Sequence, residues 1–106
     1  FVKDVFRKSC LIVSDIEEAE DLARNPNLKQ LNLVFGTTSL KLIFFNKLKV
    51  YHPHIKIINC DSSESRLISE VLSYDEDELI VFDRVNYCRD LSIFNMINQH
   101  NRVLIC

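Results

Sequence analysis

The sequence predicts a three-layer α/β domain with a doubly wound, mostly parallel, five-stranded sheet and helices on both faces. Two observations support this prediction. Short strand-like runs alternate along the chain with segments whose apolar residues recur at helical intervals. The strand-like runs are also continuously apolar, which is typical of parallel strands covered on both faces. No repeat or linker interrupts the pattern, so we predict one domain over residues 1–106.

Each element follows from a local signal in the sequence. Capping-box spacings, in which an acidic residue follows a polar one by three positions, open two of the helices. Histidine–proline and asparagine–proline pairs end helices, and an acidic turn at 75–78 precedes the most apolar strand, which we place in the centre. In order, the expected elements are a strand at Cys10–Val13, a helix from Ser14 and Asp15 to the stop at Asn25, Pro26 and Asn27, a strand at Leu31–Phe35, a helix at Ser39–Tyr51, a strand at Ile55–Asn59, a helix capped by Asp61 with Glu64, a strand at Leu79–Phe82, a helix from Asp90 to Gln99, and a last strand at Val103–Ile105.

The same periodicity predicts which side chains are buried. We expect Ile16 in the first helix, Leu42 and Tyr51 in the second, and Leu72 in the third to lie on the inner faces. We expect an exposed edge strand at Arg102–Cys106, which either pairs with another subunit or continues into further residues of the parent chain.

Composition restricts the classes of function. The chain is 47% hydrophobic and 26% charged, which suits a globular domain with a real core, and its net charge of −2 gives nucleic-acid binding no support. No apolar run reaches the roughly 18 residues of a membrane span, so no membrane partner is predicted. Because the chain starts at Phe1 and stops inside an apolar run, we expect it to be part of a longer protein.

The four cysteines have no C-x-x-C spacing and lie mainly in or beside apolar runs. Free cysteine packs as a small hydrophobe, so the sequence predicts buried free thiols rather than disulfides or a zinc site. A reducing compartment, such as the cytoplasm, is the expected location.

Gly36 is the only glycine in the chain and follows a predicted strand. It leads into hydroxyls and a lysine at the start of a helix, and helix N-termini offer unpaired amides and a positive dipole to phosphate groups. The candidate phosphate-binding residues are Gly36, Thr37, Thr38, Ser39 and Lys41. A purely structural alternative stays open, in which Gly36 relieves a tight turn and the hydroxyls cap the helix.

Two stretches of sequence carry a resemblance to the P-loop nucleoside triphosphatases of the AAA+ group. L-N-L-V-F-G at 31–36 resembles the first strand and phosphate turn, and E-L-I-V-F-D at 78–83 resembles the strand that ends in a magnesium-binding aspartate. The resemblance implies a nucleotide site at this edge of the sheet. Leu42, however, follows Lys41 where that family has a hydroxyl, and Arg84 stands where an acidic residue activates water. The sequence therefore predicts a degenerate member without hydrolytic activity.

Carboxylates form a second candidate site. Asp15, Asp61 and Asp83 each follow a predicted strand, and the carboxyl ends of parallel strands share one edge of the sheet. Carboxylate oxygens are the ligands that Mg²⁺ prefers, so we predict no cofactor other than Mg²⁺ at this set.

The same residues resemble the phosphoacceptor receiver domains. C-L-I-V-S-D at 10–15 matches their acidic first strand, and I-K-I-I-N-C-D at 55–61 places Asp61 in the phosphorylated position. This chain departs from them in that Asp83 replaces a hydroxyl and Cys106 replaces a lysine. The structural alternative is that these aspartates cap the helices that follow them.

Taken together, the sequence favours a non-catalytic interaction or scaffold domain that contacts another protein or another domain of its parent chain. The alternatives are a receiver-like phosphoacceptor and a nucleotide-binding core. The candidate contact surface is the most basic part of the chain, which carries Lys41, Lys47, Lys49 and Lys56.

Overall fold

The computed structural model describes residues 10–25, 31–75, 77–88 and 91–106. Its five strands form one fully parallel sheet in the order β1-β2-β5-β4-β3, with helices on both faces, which confirms the predicted three-layer α/β architecture. The elements are β1 (Cys10–Val13), α1 (Ile16–Arg24), β2 (Leu31–Phe35), α2 (Thr38–Tyr51), β3 (Lys56–Asn59), α3 (Glu64–Leu72), β4 (Leu79–Asp83), a short 3₁₀ turn (Val85–Tyr87), α4 (Leu91–Asn98) and β5 (Asn101–Ile105).

Side-chain caps begin two of the helices. The carboxylate of Asp15 accepts a hydrogen bond from the amide of Glu18 at 2.8 Å, and that of Glu18 accepts one from the amide of Ser14 at 3.2 Å. At α2 the hydroxyl of Thr37 accepts from the amide of Leu40 at 3.2 Å. These contacts satisfy amides that helix starts leave unpaired.

Of two predicted helix caps, one is present in the structure and one is not. The cap of α3 is Ser63, which makes no side-chain cap bond, so the prediction that Asp61 caps this helix was wrong. Asn25 caps the end of α1 as expected. Pro26, Asn27 and Asp90 lie outside the described residues.

The sheet separates two apolar cores. On one face α1 and α2 cover strand residues that include Leu33, Val81 and Val103, with Phe44 fully buried between them. On the other face α3 and α4 cover a cluster that includes Phe82 and Leu104. Residues that alternate along β4 and β5 face opposite cores, and this explains why their sequences are continuously apolar.

The position of β5 corrects the prediction of an exposed last strand. β5 lies between β2 and β4 at the centre of the sheet, and four of its five residues are buried. β4 is an inner strand next to it. The edges of the sheet are β1 and β3.

Four apolar residues predicted on inner helix faces are exposed instead: Ile16, Leu42, Tyr51 and Leu72. Ile16 is the first residue of α1, and Tyr51 and Leu72 are the last residues of α2 and α3. Among the described residues, no helix has the length and apolarity that crossing a membrane requires.

Candidate functional site

The carboxyl edge of the sheet carries most of the residues that the sequence singled out. Because all five strands are parallel, their carboxyl ends meet at this edge, and the turns after β1, β2, β3 and β4 lie along it. They present Asp15, the turn at 36–39, Asp61 and Asp83. Strand order decides which of these residues are neighbours.

The Gly36 turn is tied to the neighbouring strand. Its amide donates a hydrogen bond to the carbonyl of Val13 at 2.9 Å, so this amide is already paired with β1. Gly36 does not have a positive φ, and a Cβ added to it would meet the Val13 carbonyl at 3.4 Å, an ordinary contact. The expectation that a tight turn requires glycine here was therefore wrong, whereas the prediction that a hydroxyl caps the helix is confirmed at Thr37. Thr38 and Ser39, in the first turn of α2, are exposed.

Lys41 and Asp83 form an ion pair across the edge. The Lys41 ammonium lies 3.2 Å from Oδ1 of Asp83, and the two side chains are only 19% and 14% exposed. The pair links α2, the helix that follows β2, to the end of β4. In the sheet, β5 lies between these two strands. The structure thus brings together the two residues that the sequence had assigned to phosphate and to magnesium.

Arg84 contacts both Asp61 and Asp83 at the carboxyl edge. Its guanidinium lies 3.3 Å from Oδ2 of Asp61, and its amide donates to Oδ1 of Asp83 at 2.9 Å. Arg84 has φ 60° and ψ 46°, the left-handed region that a non-glycine residue adopts at a cost of about 1 kcal/mol. Asp61 and Arg84 are about half exposed, so their pair is solvated. The amide of Asp61 donates to Oδ1 of Asn59 at 2.9 Å.

The three aspartates do not form one cluster. β1 and β3 are opposite edges of the sheet, so Asp15 and Asp61 are separated by about four strand spacings, or roughly 19 Å. The described residues hold no group of three or more metal-ligating side chains placed to bind one ion. Receiver domains have the strand order 2-1-3-4-5, with the first strand inside the sheet, and this order differs from the one observed.

We compared the chain with protein-family models, curated proteins and solved structures. No match was found in any of the three comparisons.

The four lysines of the predicted basic surface are spread over the domain. Lys41 lies at the carboxyl edge in its ion pair. Lys56 is the first residue of β3 and therefore lies at the amino-terminal ends of the strands. The Lys56 ammonium lies 5.8 Å from the ring centroid of Tyr74. Lys47 and Lys49 are exposed on the second half of α2. The predicted surface is therefore at least two separate regions.

A cavity of about 290 Å³ lies beside the Asp61–Arg84 pair. Its lining residues are Cys60, Asp61, Ser62, Glu64, Leu67, Tyr87, Cys88 and Ile93. Cys60 and Cys88 both line this cavity and belong to the same apolar cluster. Interaction with the Cys88 thiol, together with burial, raises the pKa of Cys60, and interaction with the Cys60 thiol lowers the pKa of Cys88 because it favours the Cys88 thiolate.

Sequence reasoning missed two features of this edge. It treated Arg84 only as an unsuitable base, and it treated the cysteines only as buried free thiols, without placing Cys60 and Cys88 together. Cys60 directly follows β3 and Cys88 lies five residues after β4. Placing β3 and β4 next to each other in the sheet would therefore have predicted that the two cysteines are close. The left-handed backbone of Arg84 has no comparable signal in the sequence.

Proposed function

We propose that this domain is a non-catalytic contact module, which binds another protein or another domain of its parent chain in a reducing compartment. One observation carries the proposal: among the described residues, nothing covers Ile12 on the α3/α4 side of the edge strand β1, while Cys10 and Val34 beside it are only partly buried against the core of that face. Ile12 points to this face and is 64% exposed, and its cross-strand neighbour Val34 is partly exposed. Cys10, on the same face of β1, is partly exposed as well.

An open apolar sheet face is unusual in a three-layer domain. Parallel strands bury both faces because crossover helices cover them. In this domain α3 and α4 pack over β3, β4 and β5, and among the described residues no helix covers β1 on that side. Contiguous exposed apolar surface marks binding sites for other polypeptides, and on this face the exposed Ile12 adjoins the partly exposed Val34. A docked segment would complete the third layer.

The state of the carboxyl edge supports a non-catalytic role. The amide of Gly36 is bonded to Val13, Lys41 is paired with Asp83, and Arg84 stands where hydrolysis requires a base. An arginine side chain cannot accept a proton. A phosphate ligand would have to displace the Lys41–Asp83 pair, which is mostly shielded from water.

Site-specific crosslinking tests the contact proposal. A photoreactive phenylalanine derivative at position 12 of the full-length protein, in its native cells, is expected to form a discrete covalent adduct. The same group at position 72 is the matched control, because Leu72 is similarly exposed, at 68%, but lies at the end of α3. Position 12 should give an adduct, or an internal crosslink to another part of the chain, that position 72 does not give. Equal labelling at both positions, or none at position 12, would contradict the proposal.

The Lys41–Asp83 contact favours a second candidate, a nucleotide-binding domain. A lysine at a helix start and an aspartate at a strand end, 3.2 Å apart, are the groups that would bind a phosphate oxygen and its magnesium ion. In this alternative the ion pair is the resting state, and the ligand separates the two side chains.

Thermal melting distinguishes the two candidates. A ligand that binds only the native state raises the melting temperature. The contact module predicts no shift with Mg²⁺ and ATP, while the nucleotide-binding domain predicts a shift that Lys41→Ala abolishes and Lys47→Ala preserves. Lys47 is a suitable control because it is exposed on the same helix.

A further inference from the structure

Cys60 and Cys88 form a pair of thiols at a position set by the sheet. β3 and β4 are hydrogen-bonded neighbours, with Asn59 paired to Asp83 in register. The amide of Cys60 donates to the carbonyl of Asp83 at 2.9 Å, and the amide of Cys88 donates to that of Val85 at 2.9 Å. Both backbones are therefore held by short hydrogen bonds, and both residues belong to the apolar cluster under α3 and α4.

The pair is buried, but a cavity reaches both thiols. Cys60 and Cys88 line the same space of about 290 Å³, together with polar residues at the surface such as Asp61 and Glu64. A cavity of this size admits water-sized molecules. Larger reagents would be hindered, because Cys60 and Cys88 are 3% and 6% exposed.

We propose that Cys60 and Cys88 are an oxidisable dithiol, which a small hydroperoxide such as hydrogen peroxide converts into an intramolecular disulfide. The shared cavity and the shared apolar cluster support this assignment. The proposal goes beyond the contact function and does not depend on it.

The chemistry proceeds in two balanced steps. The Cys88 thiolate attacks one peroxide oxygen, so that an S–O bond forms and the O–O bond breaks; the departing hydroxide takes up the proton that Cys88 lost and becomes water. The Cys60 sulfur then attacks Sγ of the Cys88 sulfenic acid, the S–O bond breaks, and the hydroxyl leaves as water with the Cys60 proton. The two thiols lose two electrons in total, and peroxide is reduced to two molecules of water. Interaction with Cys60 lowers the pKa of the Cys88 thiol, and this favours Cys88 as the first nucleophile.

The disulfide would join the end of β3 to the segment after β4. Asp61 directly follows Cys60, and Arg84 precedes the 3₁₀ turn that ends before Cys88. Oxidation is therefore expected to fix the Asp61–Arg84 pair and the cavity beside it. A crosslink of this kind also constrains the unfolded chain.

Peptide mapping tests the proposal on the wild-type protein. The folded chain is treated with graded hydrogen peroxide, the remaining thiols are alkylated, and the digest is analysed by mass spectrometry. The expected result is the loss of two of the four free thiols and a Cys60–Cys88 linked peptide that dithiothreitol removes, with a higher melting temperature for the oxidised form. Recovery of Cys60 and Cys88 as separate alkylated peptides, while the exposed Cys106 is oxidised, would overturn the proposal.

Two variants sharpen the test. A Cys10→Ser, Cys106→Ser double variant should form the disulfide as the wild type does, because neither residue lines the cavity. Cys60→Ser should form no disulfide and should instead accumulate a sulfenic acid at Cys88 that dimedone traps. If Cys60→Ser does not fold, the wild-type peptide map decides the question alone. A sulfenic acid trapped at Cys106 but not at Cys88 in the folded variant would count against the assignment.

Discussion

In the half of the carboxyl edge formed by β1 and β2, Asp15 and Thr37 cap helices, whereas in the half formed by β3 and β4, Asp61 and Asp83 form ion pairs. Local structure alone explains Asp15 and Thr37, because each side chain accepts a hydrogen bond from the amide three residues ahead. Asp61 and Asp83 instead form ion pairs with residues distant in sequence. Neither aspartate caps α3, whose N-cap is Ser63. The ion pairs therefore join the ends of β3 and β4 to each other and, through Lys41, to the helix that follows β2.

The largest effect is expected from Asp83→Ala. Its carboxylate accepts hydrogen bonds from the Lys41 ammonium and the Arg84 amide, and removing it leaves a largely buried ammonium without its partner. We expect a loss of about 2 kcal/mol in the free energy of unfolding, measured by chemical denaturation. Asp61→Ala is the matched control and should cost less than about 0.5 kcal/mol, since the Asp61–Arg84 pair is solvated.

Equal losses in the two aspartate variants would contradict this ranking. Such a result would mean that solvent screens the Lys41–Asp83 pair as fully as the exposed one.

A smaller loss is expected at the capping half. Asp15→Ala and Thr37→Ala each remove the acceptor for a helix-start amide, at 2.8 Å and 3.2 Å respectively, and each should cost about 1 kcal/mol. Asp15→Asn and Thr37→Ser retain an acceptor and should restore most of the stability. The measurement is again equilibrium denaturation, with helix content followed by circular dichroism. A loss at Asp15 that the asparagine variant does not recover would show that the carboxylate charge also stabilises the helix through its dipole.

The sequence predicted the layers of this fold because the signals for them are local. Continuous apolar runs such as Leu79–Phe82 indicated parallel strands, and the spacing of Asp15 and Glu18 indicated a helix start; both are present. Strand order is not a local property. Nothing in the run 103–105 distinguishes a central strand from an edge strand, and only the pairing of β5 with both β2 and β4 reveals which it is.

The same limit applies to the candidate site. Asp15, Asp61 and Asp83 share an edge, as predicted, but their distances follow from strand order, which separates Asp15 from the other two. The Lys41–Asp83 contact joins residues 42 positions apart, and the prediction had placed those residues in different sites. The expectation that Asp61 caps a helix failed because Ser63, two residues later, is the N-cap.

The smallest effects on stability are expected from two backbone positions, Gly36 in the β1/β2 half of the carboxyl edge and Arg84 in the β3/β4 half. Gly36 has a conformation open to other residues, while Arg84 occupies a left-handed one that favours glycine. Gly36→Ala should therefore raise the free energy of unfolding by about 0.5 kcal/mol, because alanine restricts the unfolded chain and its Cβ meets only an ordinary contact. Arg84→Gly should stay within about 0.5 kcal/mol of the wild type, since relief of backbone strain offsets the lost solvated ion pair and the added flexibility. A clear destabilisation by Gly36→Ala would show that the turn needs its glycine. If the variant is as stable as expected but loses a melting shift with Mg²⁺ and ATP that the wild type has, the glycine serves ligand approach rather than folding, and the nucleotide-binding alternative gains at the expense of the contact module.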